Sequence, residues 1–133
     1  MFYFLIPFIA YISAGGIKFM LNCYRNKELS LKYIGMGGFP STHNSITSSV
    51  TSFVGFSNGA SNPAFLIGLS ITLIIFIDST DLRNKVGQQA KKINELIQNP
   101  IFLKENIGHS FIEAFSGIIL GILIGFIFFK LAL

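Results

Sequence analysis

The chain has 133 residues, of which 51% are apolar and 15 are phenylalanine. So small a domain cannot bury this much apolar surface in a soluble core, so we expect one membrane-embedded domain over residues 1–133. The net charge is +4, but no basic stripe with interleaved aromatic residues accompanies it, which argues against nucleic-acid binding. Cys23 is the only cysteine, which excludes an internal disulfide.

The first apolar run predicts a helix over residues 2–24, followed by a polar connection over 25–41. The chain start has no basic leader and no small-residue cleavage site, so we expect this helix to be retained. A second helix should open at Ser41 or Thr42 and run to about residue 57. Its many Ser and Thr residues favour a shielded position between other helices.

Residues 57–63 have the composition of a turn. A third helix should begin at Pro63 and end near residue 82. An amphipathic stretch, 85–98, should follow and stop at Asn99-Pro100. The last helix should run from about Gly108 to the C-terminus.

These elements predict an all-α membrane bundle of about four membrane-embedded helices plus a short amphipathic interfacial helix. Gly117, Gly121 and Gly125 recur every four residues in the last helix. Such a spacing is typical of close contact with a partner helix, either in the same chain or in a second subunit. Because four helices make a thin bundle, we expect that a homodimer through these glycines could complete it.

The charged residues lie almost entirely on one side of this helix order. That side contains residues 18–43 and 78–113, with all six acidic residues and nine of the ten basic ones: Lys18, Arg25, Lys27, Lys32, Arg83, Lys85, Lys91, Lys92 and Lys104. Lys130 is alone on the other side. The positive-inside tendency therefore predicts a protein of the cytoplasmic (inner) membrane whose charged face is cytoplasmic.

His109 and Glu113 are four residues apart, which places them on one face of a helix. A carboxylate bound to one ring nitrogen would fix the tautomer and leave the other nitrogen as a nucleophile. A purely structural His–Glu pair is the alternative, since a carboxylate in an apolar helix needs a partner in any case.

Gly37-Gly38 and Pro40-Ser41-Thr42-His43 indicate a glycine-rich turn into a helix start. The free amides and the helix dipole at such a start favour an anion, and Ser41 or Thr42 could cap the helix or donate to a ligand. An ordinary capped helix is the alternative.

Three cations are candidates for binding an anion. Lys18 and Arg25 are seven residues apart and share a helix face, and Arg83 lies near Asp78 and Asp81. Headgroup anchoring would also explain the first two, and a salt-bridged cluster would explain Arg83.

Three motifs in this order resemble those of the type 2 phosphatidic acid phosphatase superfamily: Lys-x6-Arg, Pro-Ser-x-His and His-x3-acid. That superfamily is related to the vanadium haloperoxidases. The closest resemblance is to its divergent, small membrane branch. Matching segments are 37–43, 78–83 with Gly87-Gln88-Gln89-Ala90 behind it, and 108–113, so the resemblance spans residues 18–121.

The resemblance implies a role for each motif residue. His109 would attack phosphorus and carry a phosphohistidine, Glu113 would orient it, and His43 would protonate the leaving group. Lys18, Arg25, Ser41, Thr42, Arg83 and the amides at the helix start would bind the phosphate oxygens. The resemblance implies neither a metal ion nor a cofactor.

The chain departs from the superfamily pattern in four places. Asn26 replaces Pro, Thr42 replaces Gly, and Glu113 replaces Asp. Arg83 also precedes His109 by 26 positions instead of a few. Either the chain between them folds back, or Lys85 or Lys104 supplies the third cation.

Three functions fit the sequence. The first is a phosphatase that hydrolyses a lipid phosphomonoester or diphosphate. The second is a non-enzymatic membrane protein that binds anionic lipid through a degenerate phosphatase site. The third is a metal-dependent hydrolase that uses Asp78 and Asp81.

Overall fold

The computed structural model describes residues 2–27, 29, 38–97 and 103–133, and the regular elements in those ranges are all helical. A short 3-10 turn, Tyr3–Leu5, leads into α1, Ile6–Asn26. The later helices are α2 (Thr42–Asn58), α3 (Pro63–Ile77), α4 (Arg83–Leu96) and α5 (Phe111–Ala132). The predicted all-α membrane bundle is confirmed.

Three helical stretches are long and apolar enough to cross a membrane: Tyr3–Asn26, Pro63–Leu96 and Phe111–Ala132. Most of the large apolar side chains of α3 are exposed on the protein surface, as expected for a helix surrounded by lipid. Asn62 caps α3 by accepting a hydrogen bond from the Ala64 amide, and Pro63 occupies its first turn. The predicted turn and helix start are therefore both present.

The polar helix α2 is at the centre of the bundle. It packs against α1, α3 and α5, and its contact with α5 is the most extensive. Its buried residues are Asn44, Ser45, Ser48, Ser49 and Thr51. The serine hydroxyls donate to backbone carbonyls of α2 itself, which satisfies them inside the bundle. The predicted shielding of this helix is confirmed.

The glycines of α5 allow this close contact. A Cβ atom at Gly117 would clash with the Ser41 carbonyl oxygen, one at Gly121 with Ser48 Oγ, and one at Gly125 with Ser52 Oγ. The partner of the glycine seam is therefore α2 of the same chain, and the seam is already covered. Dimerisation itself stays a prediction.

The sequence had suggested that the third helix ends before the amphipathic stretch, but the two are continuous. A π-helical turn, Asp78–Leu82, joins α3 directly to α4. No Gly or Pro in this region interrupts the helix, and the wider turn brings residues five apart together, so that Arg83 Nε donates to Asp78 Oδ2 at 2.6 Å. The resulting 34-residue helix is about 51 Å long, which exceeds a hydrocarbon core of about 30 Å.

The ends of the last two helices also differ from the predictions. α4 ends at Leu96, and the expected stop at Asn99-Pro100 lies outside the described residues. α5 begins at Phe111 instead of Gly108, because Gly108 has a positive φ of 99° and Ser110 caps the helix. Gly108 is thus the residue that turns the chain into α5.

Replacing Gly121 with alanine should destabilise the bundle, because the added methyl group meets Ser45 O, Ser48 Oγ and Ser49 N of α2. We expect a loss of about 1–3 kcal/mol in the free energy of unfolding, measured by thermal or denaturant unfolding in detergent. Gly16→Ala on α1 is the matched control, since no atom lies within 4 Å of its added Cβ. The control should be neutral or slightly stabilising; equal losses in both variants would contradict the packing described.

Candidate functional site

The start of α5 fixes the side chain of His109. Ser110 and Glu113 form a capping box, in which Glu113 N donates to Ser110 Oγ at 3.3 Å and Ser110 N donates to Glu113 Oε2 at 3.0 Å. The same Oε2 atom lies 3.3 Å from His109 Nδ1. With Nδ1 protonated and directed at this carboxylate, Nε2 carries the free electron pair.

The backbone of His109 is held by the π turn. Its N–H donates to the Ser79 carbonyl at 2.8 Å. Asn84 Nδ2 donates to the carbonyls of His109 and Thr80, at 3.1 and 2.7 Å. The backbone of His109, just before α5, is therefore hydrogen-bonded directly to the α3–α4 helix.

The segment before His109 runs back along α4. Asn94 Oδ1 accepts from Leu103 N and Asn94 Nδ2 donates to Leu103 O, both at 2.8 Å. Gly87 lies close to the Glu105 carbonyl, where any Cβ would clash. This return path brings His109 to the π turn, where the charge of Arg83 lowers its pKa. The choice among Arg83, Lys85 and Lys104 as the third cation stays a prediction.

The start of α2 lies next to the start of α5. Ser41 N donates to the Glu113 carbonyl at 3.0 Å, and the Ser41 side chain makes no capping bond. The N-terminal caps of α3 and α5, in contrast, are formed by Asn62 and Ser110. The first-turn amides of α2 are therefore not occupied by their own cap residue, and the helix dipole there favours an anion.

Ser41 is fully buried. Its hydroxyl accepts from Asn44 Nδ2 at 2.9 Å, and its amide is used by Glu113. Ser41 thus lies inside the bundle, on the side of the α2 start that faces α5. Thr42 is half-buried and His43 is exposed, so these two side chains are nearer to solvent. Gly38 precedes them, while Gly37 of the same motif lies outside the described residues.

Lys18 joins this cluster from α1. Its side chain is only 9% exposed, and Nζ donates to Thr42 Oγ1 at 3.2 Å. A buried ammonium group needs polar partners, and Thr42 supplies one.

The remaining cations differ in position. Arg25 is exposed in the last turn of α1, about 10 Å further along the helix axis than Lys18. Lys85 forms an exposed ion pair with Asp81 at 2.8 Å. Arg83 is bound to Asp78 and partly exposed, and its charge, like that of Lys18, acts on both histidines.

Electrostatics connect the two histidines with the cations. Burial lowers the pKa of His109, the hydrogen bond and charge of Glu113 oppose this, and the charges of Lys18 and Arg83 lower it further. Partial burial lowers the pKa of His43, the charges of Arg83, His109 and Lys18 lower it further, and the charge of Asp78 opposes them. The neutral form of both imidazoles is therefore favoured.

An open cavity of about 1040 Å³ reaches His109 and Glu113 from the α4 side. It is lined by His109, Ser110 and Glu113 together with Asn84, Lys91 and Lys104. Lys104 thus lies on the approach to His109, while Arg83 lies at the α3–α4 junction.

Sequence reasoning did not identify Asn44, Ser79 and Asn84 as parts of the site. Asn44 had one usable signal, a large amide in a helix predicted to be shielded. Ser79 and Asn84 had none, because their role depends on the π turn and on the return path of residues 103–109.

Comparisons with known proteins give the family of the chain. A model of the divergent PAP2 family matches residues 2–124, and the chain belongs to that family. It is 27% identical over 135 residues to the uncharacterized membrane protein YuiD of Bacillus subtilis (strain 168), covering 86% of this chain and 85% of that protein. No solved structure matches.

The structure predicts opposite shifts in the pKa of His109 for two substitutions. Glu113→Gln removes a group that raises this pKa, so it should fall, whereas Lys18→Met removes a positive charge, so it should rise. Because the chain has only two histidines, an NMR titration of histidine-labelled protein in detergent can follow both. Glu95→Gln, exposed on α4, is the control and should leave both values unchanged. Shifts in the same direction for the first two variants would refute this arrangement.

Proposed function

We propose that this protein is a membrane phosphatase that hydrolyses a lipid phosphomonoester or diphosphate through a phosphohistidine intermediate. One observation carries the proposal: Lys18 Nζ donates to Thr42 Oγ1 in the first turn of α2, and the charges of Lys18 and Arg83 lower the pKa of both His43 and His109. Membership in the divergent PAP2 family supports a phosphatase relationship.

In the first step, His109 Nε2 attacks phosphorus. A nitrogen–phosphorus bond forms, the bond from phosphorus to the leaving oxygen breaks, and that oxygen takes a proton from His43 in its protonated form. Lys18, Arg83, the Thr42 hydroxyl and the first-turn amides of α2 stabilise the non-bridging oxygens. The reaction uses protein groups and requires no metal ion or cofactor.

In the second step, water attacks the phosphohistidine. Neutral His43 removes a proton from the water, the nitrogen–phosphorus bond breaks, and inorganic phosphate leaves. His109 recovers its electron pair, and His43 is again protonated for the next substrate. Glu113 remains bound to Nδ1 throughout and holds the ring orientation.

A lipid substrate fits the location of the site. The cluster lies where α1, the α3–α4 helix and α5 all reach the same polar end of the bundle, so a headgroup could enter while its hydrocarbon tail stays in the bilayer. We place this end at the cytoplasmic face of the inner membrane, because the order of helices along the sequence predicts nine of the ten basic residues on that side. Dimerisation would complete the bundle around the tail.

Turnover tests the proposal directly. Purified protein in detergent should release phosphate from phosphatidic acid, phosphatidylglycerol phosphate or a polyprenyl phosphate without added metal and with inhibition by vanadate. His109→Ala should abolish release, and Glu113→Gln should lower kcat. Equal release by wild type and His109→Ala from every lipid phosphate would rule out the mechanism. Binding of anionic lipid that needs Lys18, survives His109→Ala and shows no turnover would favour the non-enzymatic alternative.

A second experiment identifies the third cation. Arg83→Ala should weaken binding of orthovanadate by roughly tenfold to a hundredfold, as expected when a charged partner worth about 1.5–3 kcal/mol is lost. Lys85→Ala is the matched control two residues away, and it removes only an exposed pair with Asp81, so it should change the affinity little. If Lys85→Ala has the larger effect, or if Lys104→Ala does, the assignment of Arg83 is wrong.

A further inference from the structure

Asn44 connects the two halves of the candidate site through its side-chain amide. The residue is fully buried in the first turn of α2. Its Nδ2 atom donates to Ser41 Oγ at 2.9 Å and to Ser79 Oγ at 3.2 Å. One amide group thus joins the start of α2 to the π turn of the neighbouring helix.

The bond to Ser79 continues to the nucleophile. Ser79 Oγ donates its own proton to the Phe76 carbonyl at 2.9 Å. It therefore accepts the hydrogen bond from Asn44 Nδ2 with a lone pair. The Ser79 carbonyl accepts from His109 N at 2.8 Å. A three-member chain therefore runs from Asn44 through Ser79 to the backbone of His109.

The bond to Ser41 acts on the other side. Ser41 Oγ accepts from Asn44 with one lone pair, so the Ser41 hydroxyl proton does not point toward Asn44. Ser41 N is fixed by the Glu113 carbonyl, and Glu113 in turn contacts the His109 ring. Asn44 is thus connected to His109 in two ways. Ser79 links it to the backbone of His109, and Ser41 links it to Glu113, whose carboxylate contacts the His109 ring.

Packing alone does not explain an amide at this position. The neighbouring serines bond back to carbonyls of their own helix, whereas Asn44 bonds across to a different element. Its Oδ1 atom is buried and has no hydrogen-bond partner among the described residues. A buried amide with an unpaired acceptor is unfavourable unless its donors are needed.

We propose that Asn44 is a positioning residue that sets the placement of His109 by holding Ser79 and Ser41. The catalytic part of this inference rests on the proposed phosphatase function, but the structural part does not. Asn44 itself does not contact the reacting atoms.

Histidine NMR tests the structural part without any substrate. Asn44→Ala and Ser79→Ala should each shift the ring signals of His109 in the folded protein, and the double variant should give no larger shift than Asn44→Ala alone. Ser49→Ala removes an equally buried hydroxyl lower on α2 and is the control, expected to leave His109 unchanged. If Asn44→Ala does not fold, Ser79→Ala still removes the same bond. An unshifted His109 signal in Ser79→Ala would overturn the proposal.

Turnover then tests the catalytic part. With a short-chain phosphatidic acid, Asn44→Ala and Ser79→Ala should lower kcat by up to about a hundredfold, as expected for a displaced nucleophile, while KM changes little. Their effects on kcat should be strongly non-additive. Additive losses, or a rise in KM with kcat unchanged, would refute positioning through Ser79. If wild type itself releases no phosphate while the NMR shifts occur, the proposed function fails and the Asn44 connection stands.

Discussion

The direct contact between the backbones of α2 and α5 determines where the candidate site residues lie. Glycines at every fourth position of α5 face small residues of α2, and any larger side chain there would push the helices apart. This closeness allows Ser41 N to reach the Glu113 carbonyl. The starts of the two helices are thereby joined, and His43 and His109 come to the same end of the bundle. In a membrane, where apolar side chains gain little by leaving lipid, such close packing is the main source of helix association.

The π turn makes the second connection. Its wider spacing pairs Arg83 with Asp78 and presents the Ser79 carbonyl to His109 N. Such turns are common at functional sites because they disturb the regular hydrogen-bond pattern and free a carbonyl for another partner. Asn94, Gly87 and Asn84 then guide residues 103–109 along α4. Together these contacts bring a distant arginine and histidine into one electrostatic environment.

The sequence predicted the features that depend on local pattern. Apolar runs located the membrane helices, Asn62-Pro63 marked a helix start, and the spacing of His109 and Glu113 indicated their contact. Features that depend on non-local contacts were not predictable in the same way. The π turn leaves no composition signal, so α3 and α4 were expected to be separate. Ser41 was expected to bind phosphate, and the sequence did not indicate that its amide donates to Glu113 or that its hydroxyl accepts from Asn44. The role of each site residue remains a prediction from the family resemblance and the geometry.

The charges of the site explain how two histidines with low pKa values could serve a phosphatase. Glu113 and Asp78 oppose the positive charges of Lys18 and Arg83 around the two imidazoles. A bound phosphate dianion adds two negative charges, and this raises the pKa of a neighbouring imidazole. His43 is exposed and can take the required proton from solvent, so in the proposed reaction the substrate itself prepares the general acid. The same charge also acts on His109, whose Nε2 must be unprotonated to attack phosphorus. Attack places a positive charge on that ring, which the carboxylate of Glu113 is positioned to offset.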